Sequence, residues 1–368
     1  MAADPSAPEP APAQLDLIRA AVGTALDVFL ARQRAILAAA GDELLPCLDA
    51  MSGLLAGGKR LRPAFCYWGW RAAGGQDCAE IFAAAAALEL LQASALVHDD
   101  VMDASETRRG QPAVHRRFAQ WHAATGLSGS ADQFGASAAI LIGDLLLAWT
   151  SELYLSSGFP PHVLHHGMPV LALMQTELAA GQYLDLVGQV SRDTSVPEAL
   201  RVISYKTTKY TTERPLQLGA ALAAGGGGAA AADTIAGAFS RYGRPLGIAF
   251  QLRDDVLGVF GDPARTGKPV GGDISEGKRT VLIALARERA SARQAADLDR
   301  HLGYRGLTQA AVAEVQSVLA DTGALAECEA MIAACVKEAV SALDGAPITE
   351  EARSALTDLA VLVSNRDE

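Results

Sequence analysis

Aromatic residues make up only 5% of this 368-residue chain, and cysteine is limited to five positions. Cys47, Cys66, Cys78, Cys328 and Cys335 are scattered, without the close pairs of a zinc site or a disulfide framework, so they read as buried, reduced side chains. Basic tracts are missing as well. A net charge of −11 and a pI near 5.2 argue against nucleic acid or an anionic membrane surface as the main partner. No run of about 18 uncharged apolar residues suits stable membrane insertion, and the opening MAADPSAPEPAPAQ lacks the charged and apolar parts of a secretory signal. These absences predict a soluble, cytoplasmic protein. The histidines of PHVLHHG (His162, His165, His166) have no acid or cysteine beside them and read as part of a loop or helix end.

Half of the chain is hydrophobic, and alanine and leucine recur at helical spacing in nearly every segment, which predicts an all-α protein. No strand alternation persists and no repeat of fixed period is present. Residues 1–14 read as a disordered Pro/Ala-rich tail and 15–368 as one domain, since the glycine-rich breaks are too short to be linkers. Beyond Leu307 the pattern is that of two or three amphipathic helices whose role is packing.

Ala79 to Asp103 has the composition of a long helix. On it Asp99 and Asp103 lie one turn apart and share a face, with Asp100 alongside. Like charges at that spacing repel, and the C-terminal end of a helix is the less welcoming one for anions. An almost uncharged apolar run leads straight into these acids, so they are better explained by a ligand than by solvent. Oxygen-only donors suit Mg²⁺, which takes a few carboxylates and leaves its other positions to water and phosphate. A second pair, Asp254 and Asp255, stands in the apolar helical setting FQLRDDVLGVF. Basic residues gather beside glycine: Lys59, Arg60 and Arg62 in GGKRLRP, Arg108 and Arg109 in ETRRGQP, Lys206 and Lys209 in YKTTKYT, and Lys268, Lys278 and Arg279 in a glycine-rich loop. Glycine lets backbone approach an anion, and lysine and arginine neutralise it. Together these features describe pockets for diphosphates, one bridged by a metal and one held by bare cations.

The ordered series GGKRLRP, DDVMD, RRG, Gly143-Asp144, GQYLD from Gly181, Lys206-Thr207, FQLRDD and GK, running from about Gly57 to Thr280, resembles the trans-isoprenyl diphosphate synthases. The resemblance implies a single all-α domain of antiparallel helices around a deep central cavity, usually a homodimer, using about three Mg²⁺ ions per active site. It implies condensation of isopentenyl diphosphate with an allylic diphosphate to give a short all-trans product. By position, Lys59, Arg62, Gln92 and Arg109 would hold isopentenyl diphosphate. Asp99, Asp103 and Asp254, seconded by Asp100 and Asp255, would bind metal on the allylic diphosphate, which Arg108, Lys206, Lys268 and Lys278 would clamp. Thr207 and Gln251 would line the space where positive charge develops. The family's usual third aspartate of the second motif is Gly258 here.

Product length is expected to depend on residues below the metals. Ser94 and Ala95 are small, whereas Leu91 and Leu88 are bulky. Leu88 lies on the order of 16 Å deeper than Asp99 by helix rise. This predicts geranylgeranyl diphosphate, with farnesyl or longer products as alternatives. A class I terpene cyclase would need an Asn/Ser/Glu metal motif that is missing here and would leave GGKRLRP without purpose. A non-catalytic partner subunit would commonly have lost the first acidic motif, which is complete.

Overall fold

In the computed structural model, residues 11–191, 194–228, 232–261, 271–304 and 306–364 are described. The helices are α1 (Ala11–Ala40), α2 (Leu45–Leu55), α3 (Leu61–Ala72), α4 (Ala79–Met102), α5 (Val114–Ala124), α6 (Ala131–Leu155), α7 (Pro161–Val190), α8 (Val196–Ile203) and α9 (Arg214–Ala223). They continue with α10 (Ala232–Phe260), α11 (Gly272–Glu276), α12 (Val281–Arg289), α13 (Ala292–His301), α14 (Gln309–Asp321), α15 (Ala324–Ser341) and α16 (Glu350–Ser364). Between α8 and α9, Ser204–Glu213 winds as a π-helix. Among the described residues the strands are two residues long each, β1 (Thr107–Arg108) and β2 (Gln111–Pro112), paired antiparallel. The protein is all-α. Helix α1 reaches back to Ala11, so residues 11–14, expected within the tail, are helical, and residues 1–10 lie outside the described residues.

Contacts divide the chain into two compact units. The first comprises the described residues of 1–171, 214–236 and 347–356. Its centre is α4, which packs against α6, α3 and α1. Ala84 to Ala87 are fully buried there, because short side chains let neighbouring backbones come close. The α3–α9 contact uses the same device: a Cβ on Gly69 would lie 2.1 Å from the Leu216 carbonyl oxygen, and one on Gly219 would lie 1.9 Å from that of Cys66. Two helices, Ala79–Met102 and Ala131–Leu155, are long and apolar enough to cross a membrane by length and composition. The sequence reading expected no such run, because it required 18 uncharged residues and Glu89 and Asp144 interrupt them. The apolar window of α4 is 67% buried, as a core helix demands.

The second unit comprises the described residues of 172–213, 237–346 and 357–368. Its core joins Leu252, Val256 and Val259 of α10 to Val281, Leu282 and Leu285 of α12, with Val315, Leu319, Cys328 and Ile332 from α14 and α15. The helices after Leu307 thus supply packing. Earlier in this unit, serines close the starts of α8 and α13: Ser195 and Ser291 each form a reciprocal capping box, with Glu198 and Gln294.

Candidate active site

The acidic end of α4 is held by a hairpin. Asp103 caps the helix, its amide donating to the Asp99 carbonyl at 2.8 Å. Beyond it, Arg109 and Gly110 have φ of 53° and 72°, the positive pair that a tight two-residue hairpin turn requires. The turn sends Arg108 back to the acids and Arg109 outward. Asp100 is 2% exposed and accepts from Arg108, whose Nε is 2.9 Å away, while Arg108 Nη2 stands 4.0 Å from Asp99. Burial raises the Asp100 pKa, and the bond and charge of Arg108 oppose the rise. The Asp100 carboxylate therefore orients a guanidinium, whereas Asp99 remains half-buried at the helix end.

Arg109 donates to the Leu54 carbonyl at 2.7 Å and lies across Gly57 and Gly58. Gly58, at φ 109°, would place a Cβ 3.1 Å from the Arg109 guanidinium, so glycine gives this arginine its floor. Desolvation lowers the Arg109 pKa, Glu89 opposes this, and the charges of Arg60, Arg108 and Arg62 lower it again. The same cluster carries Lys59 and Arg62, both half-buried, at the start of α3. Arg60 plays another part. It is buried against Glu89 at 2.5 Å and also donates to the Leu55 carbonyl, which fixes the turn into α3. Glu89, whose charge acts on Arg109, is a residue that sequence reasoning missed.

Along α4, Gln92, Ala95, Leu96 and Asp99 are half-buried and share a stripe, while Leu91 and Leu88, 2% and 1% exposed, seal the helix below them. Ser94 is turned elsewhere: its hydroxyl donates to the Gly143 carbonyl of α6 at 2.8 Å. Gly143 is required at that crossing, since a Cβ there would meet the His98 ring at 2.2 Å. His98 Nε2 is within 3.2 Å of the Ile140 carbonyl and 3.4 Å of Asp144. The Gly143-Asp144 pair of the sequence series thus builds the α4–α6 contact.

In the second unit, α10 presents Gly243, Gly247, Gln251, Asp255 and Gly258 at spacings of three or four. The first two glycines admit the π-helix. A Cβ on Gly247 would lie 2.7 Å from Thr208 Cα, and one on Gly243 would lie 2.9 Å from Glu213 Cα. Thr212 ties this contact by donating to the Gly243 carbonyl at 2.6 Å. One turn further along, the Thr207 hydroxyl donates to Gln251 Oε1 at 2.7 Å, and Gln251 Nε2 donates to Asp255 Oδ1 at 2.7 Å. Burial pushes the Asp255 carboxyl up to about 7, and the Asp273 charge adds to the rise; Gln251 and Lys278 oppose it. Asp254 stays half-buried.

Lys206 meets Asp185, the last residue of GQYLD, at 2.6 Å. Gly181 opens that contact, because a Cβ there would lie 2.2 Å from the Lys206 backbone nitrogen. Lys209 pairs with buried Glu177. Lys278 lies 2.7 Å from Glu276 and 3.3 Å from Asp273. Lys268, with the rest of residues 262–270, lies outside the described residues. Arg253 faces away from this group, forked onto Glu329 with both distances 2.7 Å. Asp185 and Asp273 were missed by sequence reasoning, although Asp185 stands inside the quoted GQYLD.

The polyprenyl synthetase family profile matches residues 46–321. The chain is 33% identical to the short chain isoprenyl diphosphate synthase of Methanothermobacter thermautotrophicus, over 85% of this chain and 88% of that protein. It is 31% identical to the geranylfarnesyl diphosphate synthase of Aeropyrum pernix, over 84% and 92%. Among solved structures it resembles geranylgeranyl pyrophosphate synthase from Corynebacterium glutamicum, complexed with isoprenyl diphosphate and magnesium, with a TM-score of 0.90 and 38% identity. That similarity covers 96% of this chain and 99% of the other.

Proposed function

Because the chain belongs to the polyprenyl synthetase family, we propose that it is a prenyltransferase joining isopentenyl diphosphate head-to-tail to an allylic diphosphate, with its catalytic domain in residues 15–368. The observation that carries this reading is the pair of unlike anion sites in the first unit. Asp99 and Asp103 stand with Arg108 at the end of α4, while Arg109 lies over the Gly57-Gly58 floor and Lys59 and Arg62 flank Arg60 at the start of α3. A diphosphate that must leave needs the first kind of site, and one that stays attached needs only the second.

The donors at Asp99, Asp103 and Asp254 are carboxylate oxygens without sulfur or imidazole, which fits a hard divalent cation such as Mg²⁺. We assign about three such ions to the site. Bound there, the cation would neutralise the departing diphosphate. In the first unit Arg108, oriented by Asp100, binds this group, and the family resemblance assigns Lys206, Lys268 and Lys278 to the same role. Gln251, aligned by Thr207 and Asp255, turns fixed dipoles toward the allylic carbon as it loses its diphosphate. Lys59, Arg62, Gln92 and Arg109 hold isopentenyl diphosphate.

We assign geranylgeranyl diphosphate as the product. Support comes from the accessible stripe of α4, which is lined by Ala95 above Leu91 and Leu88. The protein acts in this reading as a cytoplasmic homodimer. The purified protein, incubated with labelled isopentenyl diphosphate, farnesyl diphosphate and Mg²⁺, is expected to yield a C20 alcohol after hydrolysis. No chain-extended product under these conditions would overturn the assignment.

A further inference from the structure

Ser204–Glu213 winds as a π-helix, a form that is rare and appears mostly as single turns, often at functional sites. Ten residues of it need ties, and α10 supplies them. The Thr207 hydroxyl donates to Gln251 at 2.7 Å, and Thr208 packs on Gly247. The Thr212 oxygen lies 2.6 Å from the Gly243 carbonyl and 2.8 Å from the Thr208 carbonyl, so its proton bridges the two helices. Glu213 Oε1 accepts from Ser240 at 2.7 Å and from Arg244 Nε at 3.1 Å.

These ties fall into two pairs, 207 with 212 and 208 with 213, each five positions apart. An α-helix turns about 100° per residue, so such a pair would point about 140° apart and one member of each would leave α10. Bonding from i to i+5 returns both members toward one face. Another face of the segment meets α7, where Lys206 lies 2.6 Å from Asp185 and Lys209 pairs with Glu177. Thr212 and Glu213 are fully buried, where a polar group costs free energy unless it is bonded. Valine would fill the Thr212 position with the same shape and no polar atom, so the hydroxyl asks for a reason beyond packing.

We propose that Thr212 is a positioning residue for prenyl transfer: by holding the Gly243 carbonyl, its hydroxyl keeps the segment in the π-form in which Thr207 reaches Gln251 while Lys206 turns to α7. Being fully buried, Thr212 acts through Thr207 rather than on substrate. The proposal rests on the prenyl-transfer reading above.

Steady-state kinetics with labelled isopentenyl diphosphate, farnesyl diphosphate and Mg²⁺ tests it, with circular dichroism melting to confirm that each variant is folded. Thr212→Val keeps the shape and removes the proton. It is expected to lower kcat on the order of 10- to 100-fold, the scale for a reacting group misplaced by about 1 Å. The KM for isopentenyl diphosphate should stay near the parent's, because Lys59, Arg62, Gln92 and Arg109 are unchanged. Thr212→Ser, which restores the proton, should recover most of the turnover. Gly243→Ala offers a second route to the same split, since its Cβ would lie 2.9 Å from Glu213 Cα and push the helices apart. In a Thr207→Ala background, Thr212→Val should cost less than in the parent, as expected of residues that act through one another. Parent-like kcat in folded Thr212→Val or Gly243→Ala, a serine variant no better than valine, or an equal loss with and without Thr207 would overturn the positioning role and leave prenyl transfer intact. A parent protein that makes no product would instead overturn both.

Discussion

Asp254 and Asp255 are neighbours in sequence, yet only Asp255 is sunk into the protein, with Gln251 bonded to it at 2.7 Å. The same division separates half-buried Asp99 from Asp100, which is 2% exposed and bound to Arg108. In each pair one carboxylate is half-buried, and the other is sunk and bonded to a neighbouring side chain. Asp255 has a pH signature. Its carboxyl is raised from 3.8 to about 7, so between those values the native state keeps a proton that the unfolded chain has released. The metal-free protein should therefore lose stability as pH rises from about 4 to about 7 and level off above that. In Asp255→Asn this part of the slope should vanish, which thermal melts at pH 5, 6, 7 and 8 would reveal. Equal slopes in parent and variant would mean that Asp255 ionises freely in the native state.

At the scale of elements, glycines decide where helices touch. Gly181 and Gly188 lie seven residues apart on α7, but a Cβ would lie 2.2 Å from the Lys206 backbone nitrogen at the first and would meet nothing within 4 Å at the second. Gly181→Ala is expected to cost about 1–3 kcal/mol, the range for forcing bulk into a packed contact, and to lower activity by moving Lys206. Gly188→Ala should instead stabilise the protein by about 0.5–1 kcal/mol. Urea unfolding of both variants separates the two cases, and equal effects would argue against the close α7–π-helix contact. Helix α4 yields a second test at this scale. Ala95→Phe should shorten the product, because Ala95 belongs to the accessible stripe, and Leu88→Ala should lengthen it. Ser94→Phe is a poorer probe of length, since Ser94 donates to the Gly143 carbonyl and the change would strain the α4–α6 crossing. Unchanged chromatograms for Ala95→Phe and Leu88→Ala would remove α4 as the ruler of chain length.

For the molecule as a whole, the uncovered part of α6 matters most. Ile140, Leu141 and Leu147 are 46%, 68% and 38% exposed, an apolar group that water disfavours and a second copy of the chain could cover. Light scattering on the eluting protein should report twice the 38.2 kDa chain mass for the parent and the chain mass for Leu141→Arg. A monomeric parent would refute the dimer. The comparison structure from Corynebacterium glutamicum, at a TM-score of 0.90 over 96% of this chain, carries the same all-α fold despite 38% identity. Such divergence fits a fold maintained by helical periodicity and small-residue contacts, which many sequences satisfy.

The amino-acid sequence alone determined that the protein is helical, because the recurrence of alanine and leucine at helical spacing is a local property of the chain. It also pointed to diphosphate chemistry, because acids at the end of an apolar helix and cations beside glycine are legible in short windows such as LVHDDVMD and GGKRLRP. The tertiary structure alone decided which member of each acid pair turns inward and that Ser94 of α4 bonds to α6. It likewise decided that Thr207 meets Gln251 across 44 positions and that Asp273 fills the space above Gly258. The reason is physical: periodicity and charge act between near neighbours along the chain. Burial and close approach arise only when distant segments pack, and no local spacing encodes which of them will meet.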